Sequence, residues 1–405
     1  MRRSAVVLML ALVVTALGGA APGTAIGDHG GREISSLFTC DRPVFPPRCT
    51  SVGDGRTHRI AFDASLTAGL ADSLRQAMAE AYDRPTKLTM VEQSRVTRMT
   101  DAIAFSDDYG ENGAAGWVYC PLDAPRGVNP SGDRWCRQQE IHFNINARYG
   151  LFFADDGSRD HITCHELGHT LGLRHWGNPP QTDDGGVGAT CMNANTPDGP
   201  THLHQFDIDH INDYEYRRVP VPQRSNGAQV PPRLLPWRGV VATTEVEPLP
   251  TTLGEMVGAA DAVVLGRITL AVPGRVFGTR HDNPLHYASA TLEVESVLAG
   301  ALPRAHRSAL TLEIPLFDGP SSIADLPVWG QGVFLLRNKG TSAGEVGLSP
   351  ARVRVESAYY RMLTFTGLVV NDGGTALTAD DAGPLARLSG ASFEAAVAAI
   401  RNVRR

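Results

Sequence analysis

His165, Glu166, His169, Gly172 and His175 fall at spacings that leave little freedom in how the surrounding chain can fold. Histidines four apart on a helix lie on one face, about 6 Å apart along its axis, and can offer two imidazole nitrogens to one zinc ion. Glu166 sits one residue further round, too far to join them as a ligand but placed to reach a water on the metal. A helix is therefore expected from Ser158 or Asp160 to Gly172. Gly172 lets the chain leave it through a left-handed turn and return His175 as a third ligand. Three neutral ligands leave a fourth position for water, the mark of a catalytic zinc rather than a structural one. Zinc lowers the pKa of such a water towards about 7, and Glu166 is the expected general base.

A methionine follows at Met192, in the stretch Ala189, Thr190, Cys191, Met192 and Asn193. With it the pattern resembles the metzincin clan of zinc endopeptidases, over roughly residues 55 to 217. Ala194 stands where astacin-like and serralysin-like members carry a tyrosine ligand, so the resemblance is to the matrixin-like group. It implies an α+β fold, a metzincin-like catalytic domain with a twisted mixed sheet and an active-site helix. It also implies that Met192 forms a hydrophobic floor under the zinc. Glu140, Ile141, His142, Phe143 and Asn144 would form the edge strand that receives an extended protein or peptide substrate. His142 on that strand reads as a surface or cleft side chain. Residues 193 to 200 would line the pocket for the side chain after the scissile bond. Pro47, Arg48 and Cys49 resemble the segment that keeps matrixins latent. Thr50, Ser51 and Val52 depart from that segment's continuation, and a Cys40 to Cys49 disulfide is the alternative.

Residues 1–25 carry Arg2 and Arg3, an apolar run from Ala5 to Leu17, and small residues after it, the layout of a cleavable signal peptide. The run is short for a membrane span, so a secreted, extracellular chain without a stable span is expected. Export favours disulfides for the six cysteines, Cys40, Cys49, Cys120, Cys136, Cys164 and Cys191. Sequence neighbours pair most simply, although six cysteines allow about fifteen pairings. Cys164 precedes the first histidine and Cys191 precedes Met192, so a bridge between them would tie the helix to the methionine turn. Forty-three acidic against 37 basic residues, net charge -6, argue against nucleic acid as a partner.

Leu66, Leu70, Leu74, Met78 and Tyr82 predict a helix over Ser65 to Tyr82, and short strands are expected at Lys87 to Glu92, Thr100 to Phe105 and Gly116 to Cys120. A third helix is expected over His202 to Tyr216. Asp107, Asp108, Glu111 and Asn112, or Asp155 with Asp156, or Asp183 with Asp184, could hold Ca2+ but lack EF-hand spacing. Five prolines between Val219 and Pro236 mark residues 218–251 as a linker after an N-terminal segment, 26–54, and the zinc domain, 55–217. Residues 252–405 then alternate with period two, with strands expected at Ala262 to Val272, Ala288 to Leu298, Leu310 to Leu316, Gly332 to Arg337, Arg352 to Ser357 and Met362 to Val370. Those strands predict a β-rich barrel or sandwich domain closed by a helix that Ser392 caps. The expectation is a monomeric, secreted zinc metalloendopeptidase; the alternative is a binding or adhesion protein on a non-catalytic zinc scaffold.

Overall fold

The computed structural model describes residues 55–119, 121, 126–128, 134–173, 190–193, 199–213, 242–245, 250, 252–278, 284–316, 320, 323, 331–364, 367–378 and 384–403. The expected signal peptide, Cys40, Cys49, Cys120, His175, Asp183, Asp184 and Ala194 lie outside these residues. Among the described residues no helix is long and apolar enough to cross a membrane.

The chain forms a mixed α/β structure in which helices pack on a mixed sheet. Its elements in order are β1 (Thr57–Phe62), α1 (Ala68–Gln76), β2 (Thr89–Gln93), β3 (Ala102–Asp107), β4 (Ala114–Tyr119), β5 (Arg126–Val128), β6 (Arg134–Cys136), β7 (Gln139–Asn144), α2 (Asp156–Thr170), α3 (Gln205–Asp213) and β8 (Ala242–Glu245). The six-stranded sheet has the order β2-β1-β3-β7-β4-β8. Its first four strands are parallel, while β4 runs antiparallel to β7 and β8 antiparallel to β4. β5 and β6 form a separate antiparallel pair.

Two consequences differ from the sequence expectation. Glu140–Asn144 is not an edge: β3 takes one side of β7 and β4 the other, because β4 turns back antiparallel and adds outside it. Four residues of the expected linker, Ala242–Glu245, then pair with β4.

Helix α1 begins at Thr67, whose hydroxyl accepts from the Leu70 backbone N–H, and it widens into a π-helical turn over Ala77–Asp83. That widening follows from the four-residue spacing of its apolar stripe. In a regular α-helix such a stripe drifts by roughly 40° per repeat; the wider turn helps keep Met78 and Tyr82 on the buried face with Leu70 and Leu74. This face packs with Ile141 and Phe143 of β7 and with Leu167 of α2 in one apolar core.

The second sheet contains α4 (Leu253–Ala259) before β9 (Ala262–Phe277), then β10 (Leu285–Gly300), β11 (Ala309–Leu316), β12 (Gly332–Asn338), α5 (Lys339–Glu345), α6 (Pro350–Glu356), β13 (Tyr359–Met362), β14 (Leu368–Asp372), β15 (Thr375–Thr378) and α7 (Phe393–Arg401). The strands β13, β11, β10, β9 and β12 form a ring, since β13 pairs with both β11 and β12; β14 and β15 extend from β12. The stretch expected as a strand at Arg352 to Ser357 is helical. Val353 and Val355 mimic strand alternation, but Pro350 stands in the first turn and the Ser349 hydroxyl accepts from the Arg352 N–H, a helix start. The expected strand from Met362 to Val370 is two strands, β13 and β14, on the same partner β12.

The face of the first sheet opposite α2 meets the second sheet. Tyr109, Ala114 and Trp117 pack with Leu285 and Tyr287, and the Tyr287 hydroxyl donates to the Tyr109 carbonyl at 2.9 Å. Beside them Arg361 Nε donates to Glu111 Oε1 at 2.9 Å, both side chains nearly buried.

Candidate metal centre

Helix α2 is entered from Asp155, whose carboxylate accepts from the Ser158 N–H at 2.8 Å. That bond holds the Asp155 carboxyl below its ordinary pKa, and the negative charge complements the helix N-terminus. From His161 to Thr170 every residue of the helix is buried. Such a helix must find partners on all sides: Tyr82 and α1 on one, the sheet on another, and the Cys191 segment on a third.

The two described histidines of the motif are oriented by carbonyls. His165 Nδ1 lies 2.7 Å from the Cys191 carbonyl, and His169 Nδ1 lies 2.7 Å from the Leu173 carbonyl. A carbonyl only accepts, so each Nδ1 carries the proton and each Nε2 presents a lone pair. Those Nε2 atoms stand 3.0 Å apart. Two lone pairs facing at that distance repel unless a cation or a proton lies between them. Tetrahedral zinc with bonds of 2.0–2.1 Å would hold its nitrogens about 3.3 Å apart, so the pair fits this metal. Burial drives the His165 pKa well below its ordinary 6.5, helped by His169 and His161, which keeps the imidazole in the neutral form a metal binds.

Helix α2 ends as its sequence requires. Leu173 N–H and Leu171 N–H both bond the Gly168 carbonyl at 3.0 Å, and Gly172 takes φ +88°, open to glycine at little cost. This turn brings the Leu173 carbonyl to His169. The expected third ligand, His175, lies outside the described residues, and among the described residues no group of three His, Cys, Asp or Glu could hold a metal ion.

Glu166 is fully buried and turned towards β4. A Cβ on Gly116 would fall 2.5 Å from Glu166 Oε1, so the absence of a side chain at Gly116 makes the space the carboxylate occupies. Under the helix, a Cβ on Gly168 would collide with Met192 Sδ and the Tyr82 hydroxyl. Met192 is completely buried there, and Tyr82 donates to the Cys164 carbonyl at 2.7 Å. Burial pushes the Tyr82 phenol well above its ordinary pKa, so it stays a donor.

Cys164 and Cys191 form a disulfide with Cα atoms 5.9 Å apart, in keeping with their positions beside the first histidine and Met192. Cys136 is also disulfide-bonded. Asp207, which no sequence motif marks, organises the methionine turn from α3. Its carboxylate accepts from the Thr190 hydroxyl at 2.7 Å and from the His204 N–H at 3.2 Å, while Thr190 Oγ accepts from the Met192 N–H. An acid in the first turn of a short helix is the only sequence signal for it.

Other candidates serve elsewhere. His142 is buried, not a surface or cleft side chain; it stacks between Phe105 and Trp117 and bonds Tyr109 and Glu140, on the sheet face away from α2. His161 bonds the Pro200 carbonyl. In the turn considered for calcium, Asp107 accepts from the Asp108 N–H, Asp108 from Gly110 and Asn146, Asn112 from Ala114, and Glu111 pairs with Arg361. Asp155 caps α2, and Asp156 pairs with Arg159.

No protein-family profile matches the chain, and no characterised protein matches it by sequence. A solved structure similar to it is high choriolytic enzyme 1, a hatching enzyme zinc-protease from the medaka fish Oryzias latipes. The likeness covers 40% of this chain and 90% of that one at 14% identity and a TM-score of 0.23.

Proposed function

We propose that this chain is a secreted zinc-dependent endopeptidase of the metzincin type, matrixin-like, that hydrolyses peptide bonds in protein or peptide substrates. The observation that carries the reading is the pair of Nε2 lone pairs at 3.0 Å, fixed from behind by two carbonyls, with the buried Glu166 carboxylate next along the helix. His165, His169 and His175 would hold the metal. Bound there, zinc supplies the Lewis acidity that polarises a peptide carbonyl and acidifies a water.

Glu166 would take a proton from a water on a carboxylate oxygen as the water oxygen adds to the peptide carbonyl carbon, and would return the proton to the leaving nitrogen as the C–N bond breaks. Gly116 leaves room for the carboxylate to work beside β4. The Cys164–Cys191 bridge holds the carbonyl that fixes the His165 tautomer, an orienting role that typically contributes 10- to 100-fold to metal affinity or activity. Met192 closes the site from below, and residues 193 to 200 would line the pocket after the scissile bond.

The test is cleavage of an unfolded protein by the purified zinc-loaded chain, followed as new amino termini. Chelation should abolish it and zinc restore it. Cleavage that persists after the chelator has stripped the zinc overturns the reading.

A further inference from the structure

Strand β4 borders Glu166 at Gly116, and on its outer side the chain adds its own backbone. β8 pairs antiparallel with β4 in the register Val118 with Ala242, Trp117 with Thr243, Gly116 with Thr244 and Ala114 with Glu245. Thr244 is therefore opposite Gly116, the residue whose missing side chain makes room for the Glu166 carboxylate. β8 also runs close beside α2. The backbone at Thr243 and Thr244 thus lies where a peptide adding to β4 next to Glu166 would have to lie.

Such an edge offers a row of backbone donors and acceptors to whichever extended segment reaches it first. A tethered segment has the advantage, because its effective concentration is of the order of millimolar. It is also poised to leave. β8 has four residues, pairs among the described strands with β4 alone, and follows a stretch whose sequence holds five prolines, residues that cannot donate to a ladder.

We propose that Ala242–Glu245 is an intramolecular occupant of the β4 edge, a strand that keeps extended peptides from the site until it is displaced. The consequence for turnover rests on the peptidase reading above; the occupancy itself does not. Among the occupants such an edge could take, the structure selects this segment of the same chain.

The experiment compares the full zinc-loaded chain with Thr243→Pro/Thr244→Pro, which removes two backbone donors. A second variant, Ala242→Gly/Thr243→Ser/Thr244→Gly/Glu245→Ser, lowers strand propensity without proline. The probe is a fluorescent synthetic peptide with the sequence of residues 240–247, read by anisotropy with Glu166→Gln added to all three proteins so that it is not consumed. Both variants should bind the peptide at least about tenfold more tightly than the parent, with hydrogen exchange at Gly116 and Val118 faster in the variants before peptide is added. With Glu166 present, KM for a short peptide should fall by a similar factor. Equal affinity in parent and variants overturns the proposal. Tighter binding without cleavage by any of the proteins sinks the peptidase reading and leaves the occupancy standing; equal KM and equal binding with brisk cleavage does the reverse.

Discussion

Replacing Cys164 and Cys191 together by alanine tests how the fold holds the face of α2 proposed to bind metal. The two residues are 27 apart in sequence and fully buried. Removing a cross-link that closes a loop of this length frees the unfolded chain by about 3.5 kcal/mol at 25 °C. At roughly 2–4 °C per kcal/mol, the melting of the part that contains α2 should fall by about 7–14 °C. The same change loosens the Cys191 carbonyl from His165, although the Cys191 N–H still reaches the His202 carbonyl and Met192 its Thr190 contact. Zinc affinity should therefore drop about tenfold rather than vanish. Circular dichroism melts of the zinc-free chain and competition with a zinc chelator read the two effects separately. A melting shift below about 3 °C together with unchanged zinc affinity would refute this account of the bridge.

Gly168→Ala should cost about 1–3 kcal/mol in a urea titration, because its Cβ meets Met192 and Tyr82, whereas Gly258→Ala in α4, with open space around it, should be neutral or slightly stabilising. If both behave alike, the packing under α2 is not as described. Arg361→Met strips the buried Glu111 of its partner between the two sheets and should destabilise the chain by about 3–5 kcal/mol; a loss under about 1 kcal/mol would show that the pair is solvated. Burial pushes the Glu313 carboxyl up, but Arg275 and Lys339 outweigh it and leave it below its ordinary 4.5. Its folded pKa being the lower, Glu313 stabilises the fold above 4.5, and that contribution is lost as pH falls towards the folded value. Unfolding free energy should thus decline more steeply below pH 4.5 in the parent than in Glu313→Gln, and parallel slopes would contradict it.

The helix that carries His165 and His169, its glycine stop and the disulfide beside it are legible in the amino-acid sequence because each is local: spacing on a helix, one positive φ, two cysteines flanking the same histidine and methionine. What is not legible there depends on the third dimension. β1 hides because His58, an imidazole amid its apolar residues, is buried and bonds the Thr170 hydroxyl on α2. The order of β7 and β4 turns on which strand reverses direction, and nothing in Gln139–Asn144 or Ala114–Tyr119 states that. Val353 and Val355 carry a strand pattern that Ser349 and Pro350 override. Asp207 acts from a helix far along the chain, and β8 comes from a segment whose neighbouring prolines read as linker. Gly116 reads as an ordinary strand residue, yet its role emerges only when Glu166 faces it across the core.

The most direct test is a comparison of the zinc-loaded chain with zinc-loaded Glu166→Gln on one unfolded protein substrate, with metal content measured on both samples. Both samples should hold one zinc per chain, and cleavage should be slower in the variant by about 10²- to 10⁴-fold. Equal rates at equal zinc content would contradict the role given to Glu166, and with it the reading of this site as a peptidase centre.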